Sequence, residues 1–193
     1  MKLRESGMPE EPYWETLFDI DLILNRLEID HRTGDVVELG CGYGTFTIPV
    51  ARRITGILRT YDIDVAMVER TRQRALVETL TNIMGQVRDV FGAGFGVAAA
   101  SQDACLLFNI LHCEEPIRLL SEAARVVRPG GFIHVIHWRH DPTTPRGPSL
   151  EIRPRPEQIA SWAKETHFLE SISPAFDLPP WHYGLRLLRS PDG

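Results

Sequence analysis

The chain has 193 residues and a formal net charge of −5, with 43% hydrophobic and 24% charged residues. This length and composition predict one globular domain with a substantial hydrophobic core. The negative charge disfavours nucleic acid as a partner, because phosphate contacts need a basic surface.

The predicted elements of the first half alternate between helices and strands. Residues 13–27 carry apolar side chains at helical spacing and predict one amphipathic helix. Arg70, Arg72 and Arg74 lie in a later helix and are predicted to form a solvated face of it. The other predicted elements are strands at 36–39, 57–62 and 83–89 and helices at 46–54 and 65–79.

The second half continues the alternation, with more glycine and proline between the elements. We predict loops at 91–100 and 141–156; the second of these holds five of the fourteen prolines. Pro116 suits the first position of a helix. The remaining predictions are strands at 104–110, 132–137, 168–173 and 183–188, helices at 116–127 and 157–166, and a turn at 128–131.

Strands that alternate with helices predict a three-layer α/β fold with a mostly parallel sheet. In such sheets ligands bind beyond the carboxyl ends of the strands. We predict a single domain over residues 1–193, in which a helical cap, 1–30, packs on the core, 31–193.

Several kinds of protein are disfavoured by what the sequence lacks. It has no apolar run near the ~18 residues of a membrane span, and residues 1–14 lack the apolar core of a signal peptide. Cys41, Cys105 and Cys113 show neither paired spacing nor a metal-binding pattern. A cytoplasmic protein with no metal site and no membrane partner is expected.

The stretch Val-Val-Glu-Leu-Gly-Cys-Gly-Tyr-Gly, residues 36–44, places three glycines at alternate positions after a buried strand. Glycine has no Cβ and readily takes positive φ, so Gly40, Gly42 and Gly44 suit a turn that approaches a ligand closely. Asp62 ends the next strand, where a carboxylate can accept hydrogen bonds from a ribose diol. Asp62 or Asp64 could instead cap the helix that follows.

Two classes of cofactor fit a strand, a glycine turn and an acid. A dinucleotide site has the pattern Gly-x-Gly-x-x-Gly, but Thr45 stands where its last glycine belongs. Glu38, Gly40, Gly42 and Gly44 instead resemble the first motif of class I S-adenosylmethionine-dependent methyltransferases, Glu/Asp-x-Gly-x-Gly-x-Gly.

The resemblance extends over residues 36–189 and points to the small-molecule, type 11-like branch of that family. Residues 61–64 resemble its acidic strand end, and residues 108–138 resemble its fourth strand, helix, Pro-Gly-Gly turn and fifth strand. The Asn-Pro-Pro-Tyr signature of base-modifying members is absent from the sequence. The family implies a Rossmann-like fold with a mostly parallel seven-stranded sheet that ends in an antiparallel hairpin.

The resemblance also implies roles for individual residues. The glycine turn would wrap the methionine part of S-adenosylmethionine, and Asp62 would bind the ribose. Ile63 would pack on the adenine, Asp89 would accept from its amino group, and Asn109 would pass beside the sulfonium. For Asp89 a strand-end turn, and for Asn109 a structural hydrogen bond, remain alternatives. The implied cofactor residues are Glu38, Gly40, Cys41, Gly42, Gly44, Asp62, Ile63, Asp89 and Asn109.

Methyl transfer from a sulfonium needs chiefly alignment, which can supply roughly 7–11 kcal/mol. A general base contributes typically ~10²–10⁴-fold when the acceptor is a hydroxyl or thiol. His112 and then His137, each at the end of a strand, are the candidate bases. Trp14, Trp138 and Arg146 are candidates for contact with the acceptor.

The sequence therefore predicts methyl transfer from S-adenosylmethionine to a small molecule, by a monomer or a homodimer. Two alternatives stay open. One is an NAD-type oxidoreductase. The other is a protein that binds S-adenosylmethionine without catalysis.

Overall fold

The structure is a computed structural model that describes residues 7–191. The strands are β1 (Val36–Leu39), β2 (Leu58–Asp62), β3 (Ile83–Val87), β4 (Gln102–Phe108), β5 (Val127–Trp138), β6 (Leu169–Ser171), β7 (Phe176–Leu178) and β8 (His182–Arg189). The helices are α1 (Glu11–Glu15), α2 (Ile20–Arg26), α3 (Thr47–Arg53), α4 (Val65–Val77), α5 (Val90–Ala93), α6 (Pro116–Val126) and α7 (Pro156–Glu165).

All strands belong to one sheet in the order β3-β2-β1-β4-β5-β8-β6, and β7 also pairs with β8. Strands β1 to β5 are parallel, whereas β8 is antiparallel to β5, β6 and β7. The predicted mostly parallel sheet with an antiparallel C-terminal part is confirmed. The sheet has eight strands rather than the expected seven, because β7 pairs with residues 182–184 of β8 while β6 pairs with residues 187–189.

Successive side chains of the central strands point to opposite faces of the sheet, as strand geometry requires. Val37, Cys105 and Leu107 pack in a core that includes residues of α6 and α7. Val36 and Leu106 pack in a second core with residues of α2 and α3. Both faces of the sheet are therefore covered by helices, which confirms the three layers.

The predicted helix 13–27 is two helices. α1 ends at Glu15, and α2 starts after Asp19, whose carboxylate accepts from the Leu22 N–H at 3.0 Å and caps the new helix. The apolar spacing continues across this break, so the periodicity concealed it. The predicted cap, 1–30, begins outside the described residues, and its described part contains α1 and α2.

The prediction that the arginines of α4 form a solvated face is wrong for Arg70 and Arg74, which pair with acids of α1. Arg70 bonds to Glu11 at 2.8 Å, and Arg74 bonds to Glu11 at 3.2 Å and to Glu15 at 2.7 Å. Helix α1 has no buried residue, so these ion pairs are a main attachment of α1 to α4.

The loops agree with expectation except at one turn. Residues 91–93 of the first loop belong to the short helix α5, and residues 141–155 have no regular structure apart from turns. The predicted turn 128–131 lies inside β5, where Gly130 has a φ of +78° and the pairing with β4 is irregular.

Candidate cofactor site

The three glycines of the loop after β1 all have the left-handed backbone that their spacing predicted. Their φ angles are +85° at Gly40, +51° at Gly42 and +80° at Gly44, a region that other residues enter only with strain. A Cβ at Gly40 would lie 3.1 Å from Ile110, and one at Gly42 would lie 3.0 Å from Met8. The loop thus depends on glycine both for its conformation and for its close contacts.

Asp62 at the end of β2 is bonded to this loop. Its carboxylate accepts from the backbone N–H of Gly42 at 3.1 Å and of Asp64 at 3.0 Å. Of the about four acceptor positions of an ionised carboxylate, these N–H groups take two, and a third is taken only by a weak thiol contact, from the Cys41 Sγ at 3.9 Å. The Asp64 carboxylate accepts from the Ala66 N–H at 2.8 Å and caps α4. Asp62 therefore bonds to the glycine loop, whereas Asp64 is the N-cap of α4.

Glu38 lies beneath the loop and is 2% exposed. It accepts hydrogen bonds from the hydroxyls of Thr47 at 2.6 Å and Thr60 at 2.7 Å, which joins β1 to α3 and β2. Burial raises the pKa of Glu38 to about 7, against the lowering effect of these two hydroxyls. Cys41 is also buried, and burial raises the pKa of its thiol.

A cavity of about 910 Å³ opens at the carboxyl ends of β1, β2 and β4. Trp14, the loop after β5 and the ends of β3 complete its wall. Of the site residues predicted from the sequence, the cavity is lined by Gly40, Gly42, Asp62, Ile63, Asp89, Asn109 and His112. Glu38, Cys41, Gly44 and His137 do not line it.

The end of the cavity nearest β2 and β3 combines an apolar side chain with acids. Ile63 is 45% exposed there, which is unusual for an isoleucine. Asp89 caps the short helix α5 by accepting from the Gly92 N–H at 3.2 Å. Arg88 lines the same end and donates to the carbonyls of Ala93 and Gly94.

Asn109 follows β4 in the middle of the cavity wall. Its φ is +57°, and its N–H donates to the Ile136 carbonyl at 2.8 Å. Its side-chain Oδ1 is buried and has no hydrogen-bond partner within residues 7–191. A buried acceptor without a partner costs free energy, so this oxygen suits a donor group supplied by a ligand.

The two candidate bases are brought together, but only one reaches the cavity. His112 lines the cavity and is 7% exposed, whereas His137 is fully buried behind it. The His137 Nε2 lies 3.4 Å from the His112 Nδ1. Burial lowers the pKa of His137 well below its usual range, and the neighbouring His112 adds to that effect. Both effects favour the neutral form of His137.

The far end of the cavity is mostly aromatic and apolar. Trp14 and Trp138 are in edge contact with ring centroids 6.4 Å apart, and Phe108 also lines the cavity. Arg146 lines this region and donates to the Gly7 carbonyl at 3.0 Å.

Sequence reasoning missed several residues that line the cavity. Met8 covers the glycine loop, and Tyr43 donates its hydroxyl to the Pro9 carbonyl at 3.0 Å. Tyr43 stands inside the glycine motif and could have been included on that ground. Met67 and Phe91 carried no comparable signal.

The part of the chain that the structure describes has neither a metal-binding cluster nor a membrane-spanning helix. Within 7–191, no three His, Cys, Asp or Glu side chains are grouped so as to hold a metal ion. No helix in that range has the length and apolar character needed to cross a membrane. The three cysteines are free and buried.

A parallel sheet in the order β3-β2-β1-β4-β5, a left-handed glycine loop and an acid at the end of β2 define a nucleoside-binding Rossmann-like domain. A family model described as a methyltransferase domain matches residues 36–131. This part of the chain is a methyltransferase domain, and the chain has the fold of class I S-adenosylmethionine-dependent methyltransferases.

Solved structures share the fold of the whole chain. An S-adenosylmethionine-dependent methyltransferase from Aquifex aeolicus aligns with a TM-score of 0.80 over 93% of this chain and 94% of that one, at 16% identity. Geranyl diphosphate C-methyltransferase from Streptomyces coelicolor A3(2), solved with S-adenosylhomocysteine, aligns with a TM-score of 0.70 over 88% of this chain and 78% of that one, at 15% identity.

One curated relative is an uncharacterized 37.1 kDa protein in transposon TN4556 of Streptomyces fradiae. It is 30% identical over 158 residues, which are 77% of this chain and 45% of that protein. The chain thus spans less than half the length of this relative.

Proposed function

We propose that this protein transfers a methyl group from S-adenosylmethionine to a small molecule. The observation that carries the proposal is one cavity in which a glycine loop and Asp62 form one end and an aromatic wall forms the other. Its volume of about 910 Å³ lies at the upper end of the ~300–1,000 Å³ typical of ligand sites. That size suits a cofactor together with a small acceptor.

The residues at the cofactor end fit S-adenosylmethionine in chemistry and position. Asp62 retains acceptor positions for the ribose hydroxyls, and the exposed Ile63 offers an apolar surface for the adenine. Asp89 is proposed to accept from the adenine amino group. Asn109 Oδ1 is proposed to accept from the ammonium of the methionine part. Glu38, Cys41 and Gly44 support the loop from below and act on the cofactor only through it.

The bound cofactor supplies an electrophilic methyl group, and the protein's task is to align an acceptor with it. Trp14 and Trp138 restrict the position of the acceptor and exclude water from the cavity. His112 is the proposed proton acceptor for a hydroxyl or thiol nucleophile. His137 contacts His112 and does not contact the acceptor directly.

The lining also indicates the chemistry of the acceptor. The three carboxylates in the wall, Asp62, Asp64 and Asp89, all lie at the ends of β2 and β3. The opposite wall is apolar except for Asn109, His112 and Arg146. We propose an acceptor with an apolar body and, at most, one acidic group directed at Arg146. The net charge of −5 and the enclosed aromatic wall favour such a molecule over a nucleic acid.

A thermal shift assay with S-adenosylhomocysteine and with NAD tests the assignment of the cofactor. A ligand at about 100 times its Kd stabilises the folded state by about 2.7 kcal/mol. We expect a rise in Tm with S-adenosylhomocysteine and none with NAD. The opposite result would favour the oxidoreductase.

Catalysis needs a second experiment. Transfer of labelled methyl from S-adenosylmethionine into a metabolite library is expected to give a labelled product. Binding of S-adenosylhomocysteine without transfer to any compound would favour the non-catalytic alternative.

Three buried free cysteines suit a reducing compartment, and we propose that the protein acts in the cytoplasm.

A further inference from the structure

The loop after β5 forms part of the cavity wall and is organised by a single side chain. Arg153 is 6% exposed and lies near the end of this loop. Its Nη1 donates to the carbonyls of Arg139 and Asp141 and to the Thr144 hydroxyl, at 2.8, 3.2 and 2.6 Å. Its Nη2 donates to the carbonyls of Arg146 at 3.4 Å and of Pro148 at 2.6 Å, and its Nε donates to the Pro148 carbonyl at 3.1 Å.

Burial of this guanidinium is costly unless its donors are satisfied. Among residues 7–191 no carboxylate lies within ion-pair distance of Arg153. The compensation comes from the hydrogen bonds to loop oxygens and from the negative charge of Asp141. Burial lowers the pKa of Arg153, which is the expected sign for a desolvated cation.

Arg153 is also fixed at its base, so it can serve as a reference point for the loop. The carbonyl of the next residue, Pro154, accepts from the buried Tyr183 hydroxyl at 2.8 Å, and Tyr183 belongs to β8. The backbone next to Arg153 is thus bonded to β8, and the guanidinium connects the rest of the long proline-rich loop to this point.

The part of the loop that Arg153 holds is the part that lines the cavity. Pro145, Arg146, Gly147 and Pro148 are all in the wall. Gly147 has a φ of +114°, and a Cβ there would lie 2.9 Å from both the Trp138 ring and the Arg153 Nη2. The backbone of Gly147 therefore lies in close contact with the indole of Trp138.

We propose that Arg153 is the positioning residue of the acceptor wall. Through the backbone of residues 141–148 it keeps the loop on Trp138 and presents Arg146 to the cavity, which determines the acceptors that fit. This inference rests on the proposed function. Lysine cannot replace it, because an ammonium has three donors and lacks the planar fork of a guanidinium.

The test compares Arg153→Gln and Arg153→Lys with Arg155→Gln, a matched control at an exposed arginine two positions along. The first readout is amide hydrogen exchange of residues 143–153 in the full chain without cofactor. Loss of several hydrogen bonds is expected to accelerate it by about tenfold or more in both Arg153 variants and not in the control. The second readout is the indole ¹H–¹⁵N signal of Trp138, assigned with Trp138→Phe, which is expected to shift in the same two variants.

Binding of S-adenosylhomocysteine separates a local role from a general one. Its Kd is expected to stay within about twofold of wild type in Arg153→Gln, because the cofactor end does not contact the loop oxygens that Arg153 binds. Guanidinium chloride at low millimolar concentration is expected to restore the Trp138 signal in Arg153→Ala.

Three outcomes overturn the proposal. The first two are a wild-type rate of amide exchange in the loop of Arg153→Gln or in that of Arg153→Lys. The third is a fold-loss of affinity for S-adenosylhomocysteine in Arg153→Gln that equals the fold-increase in its exchange rate. Arg153→Lys keeps the charge and most of the stem, so it decides the matter should Arg153→Gln fail to fold. A wild-type chain that binds no S-adenosylhomocysteine refutes the proposed function. Amide exchange and the Trp138 signal are measured without cofactor, so they test the role of Arg153 in the loop independently of that result.

Discussion

Replacement of Asp62 by alanine is expected to weaken binding of S-adenosylhomocysteine by about a hundredfold. The proposed site gives this carboxylate two ribose hydroxyls, and hydrogen bonds to a charged group are worth about 1.5–3 kcal/mol each. The lower value for each bond gives a loss of about 3 kcal/mol, and every 1.4 kcal/mol is about tenfold in Kd. The substitution also removes the bonds to the Gly42 and Asp64 N–H groups, which loosens the glycine loop.

The matched control for this prediction is Asp64→Ala. Asp64 lines the same cavity, but its carboxylate caps α4 through the Ala66 N–H. Loss of a helix N-cap costs about 1 kcal/mol of stability, so Asp64→Ala is expected to unfold at lower urea concentration while keeping its cofactor affinity within about threefold.

Isothermal titration with S-adenosylhomocysteine measures both variants. A second titration uses 5′-methylthioadenosine, which keeps the ribose and adenine but lacks the amino-acid part. Both ligands are expected to lose affinity by a similar factor in Asp62→Ala. The reasoning is refuted if Asp62→Ala binds like wild type, or if Asp64→Ala shows the larger loss.

Two predictions concern buried titratable groups. Burial raises the pKa of Glu38 in the folded protein from 4.5 to about 7, so the unfolded chain releases this proton first as pH rises. The free energy of unfolding of the wild type should therefore fall by about 3 kcal/mol between pH 4.5 and 7, relative to that of Glu38→Gln. His182 stacks on Phe18 and Trp138, and burial lowers its pKa from 6.5 to about 3, with smaller contributions from Arg139 and Arg153. Below pH 6.5 the unfolded chain binds a proton at this histidine and the folded chain does not, which destabilises the wild type. The free energy of unfolding of His182→Phe minus that of wild type should therefore be about 2 kcal/mol higher at pH 5 than at pH 8. Urea unfolding at each pH measures both effects, and pH profiles parallel to wild type would contradict them.

The fold was largely predictable because its signals are local. Buried parallel strands appear as continuous apolar runs, such as β4, and the helices between them have their own periodicity and proline starts. The break between α1 and α2 and the strand β7 were missed for opposite reasons. The first is a local cap, at Asp19, hidden within a continuing apolar pattern. The second is three residues long and exists because the edge of β8 is available to pair with it.

The candidate site was predictable at its cofactor end and much less so at its acceptor end. Glycines and an acid at strand ends imply a nucleoside site whichever loops surround it. The sequence ranked His112 before His137 as a candidate base but placed both at the end of a strand. Their difference, one in the wall and one fully buried, depends on the elements that pack over β5.

The sequence by itself determined most of the succession of strands and helices along the chain, the left-handed loop at residues 40–44 and the acid that faces it. Each of these follows from chain chemistry within a few residues. Only the tertiary structure decided that Arg153 organises the loop over Trp138, that Asn109 leaves an oxygen without a partner and that His137 lies behind His112. These features depend on contacts between segments far apart in the chain, and their free energy comes from burial and hydrogen bonds that exist only after the sheet has assembled.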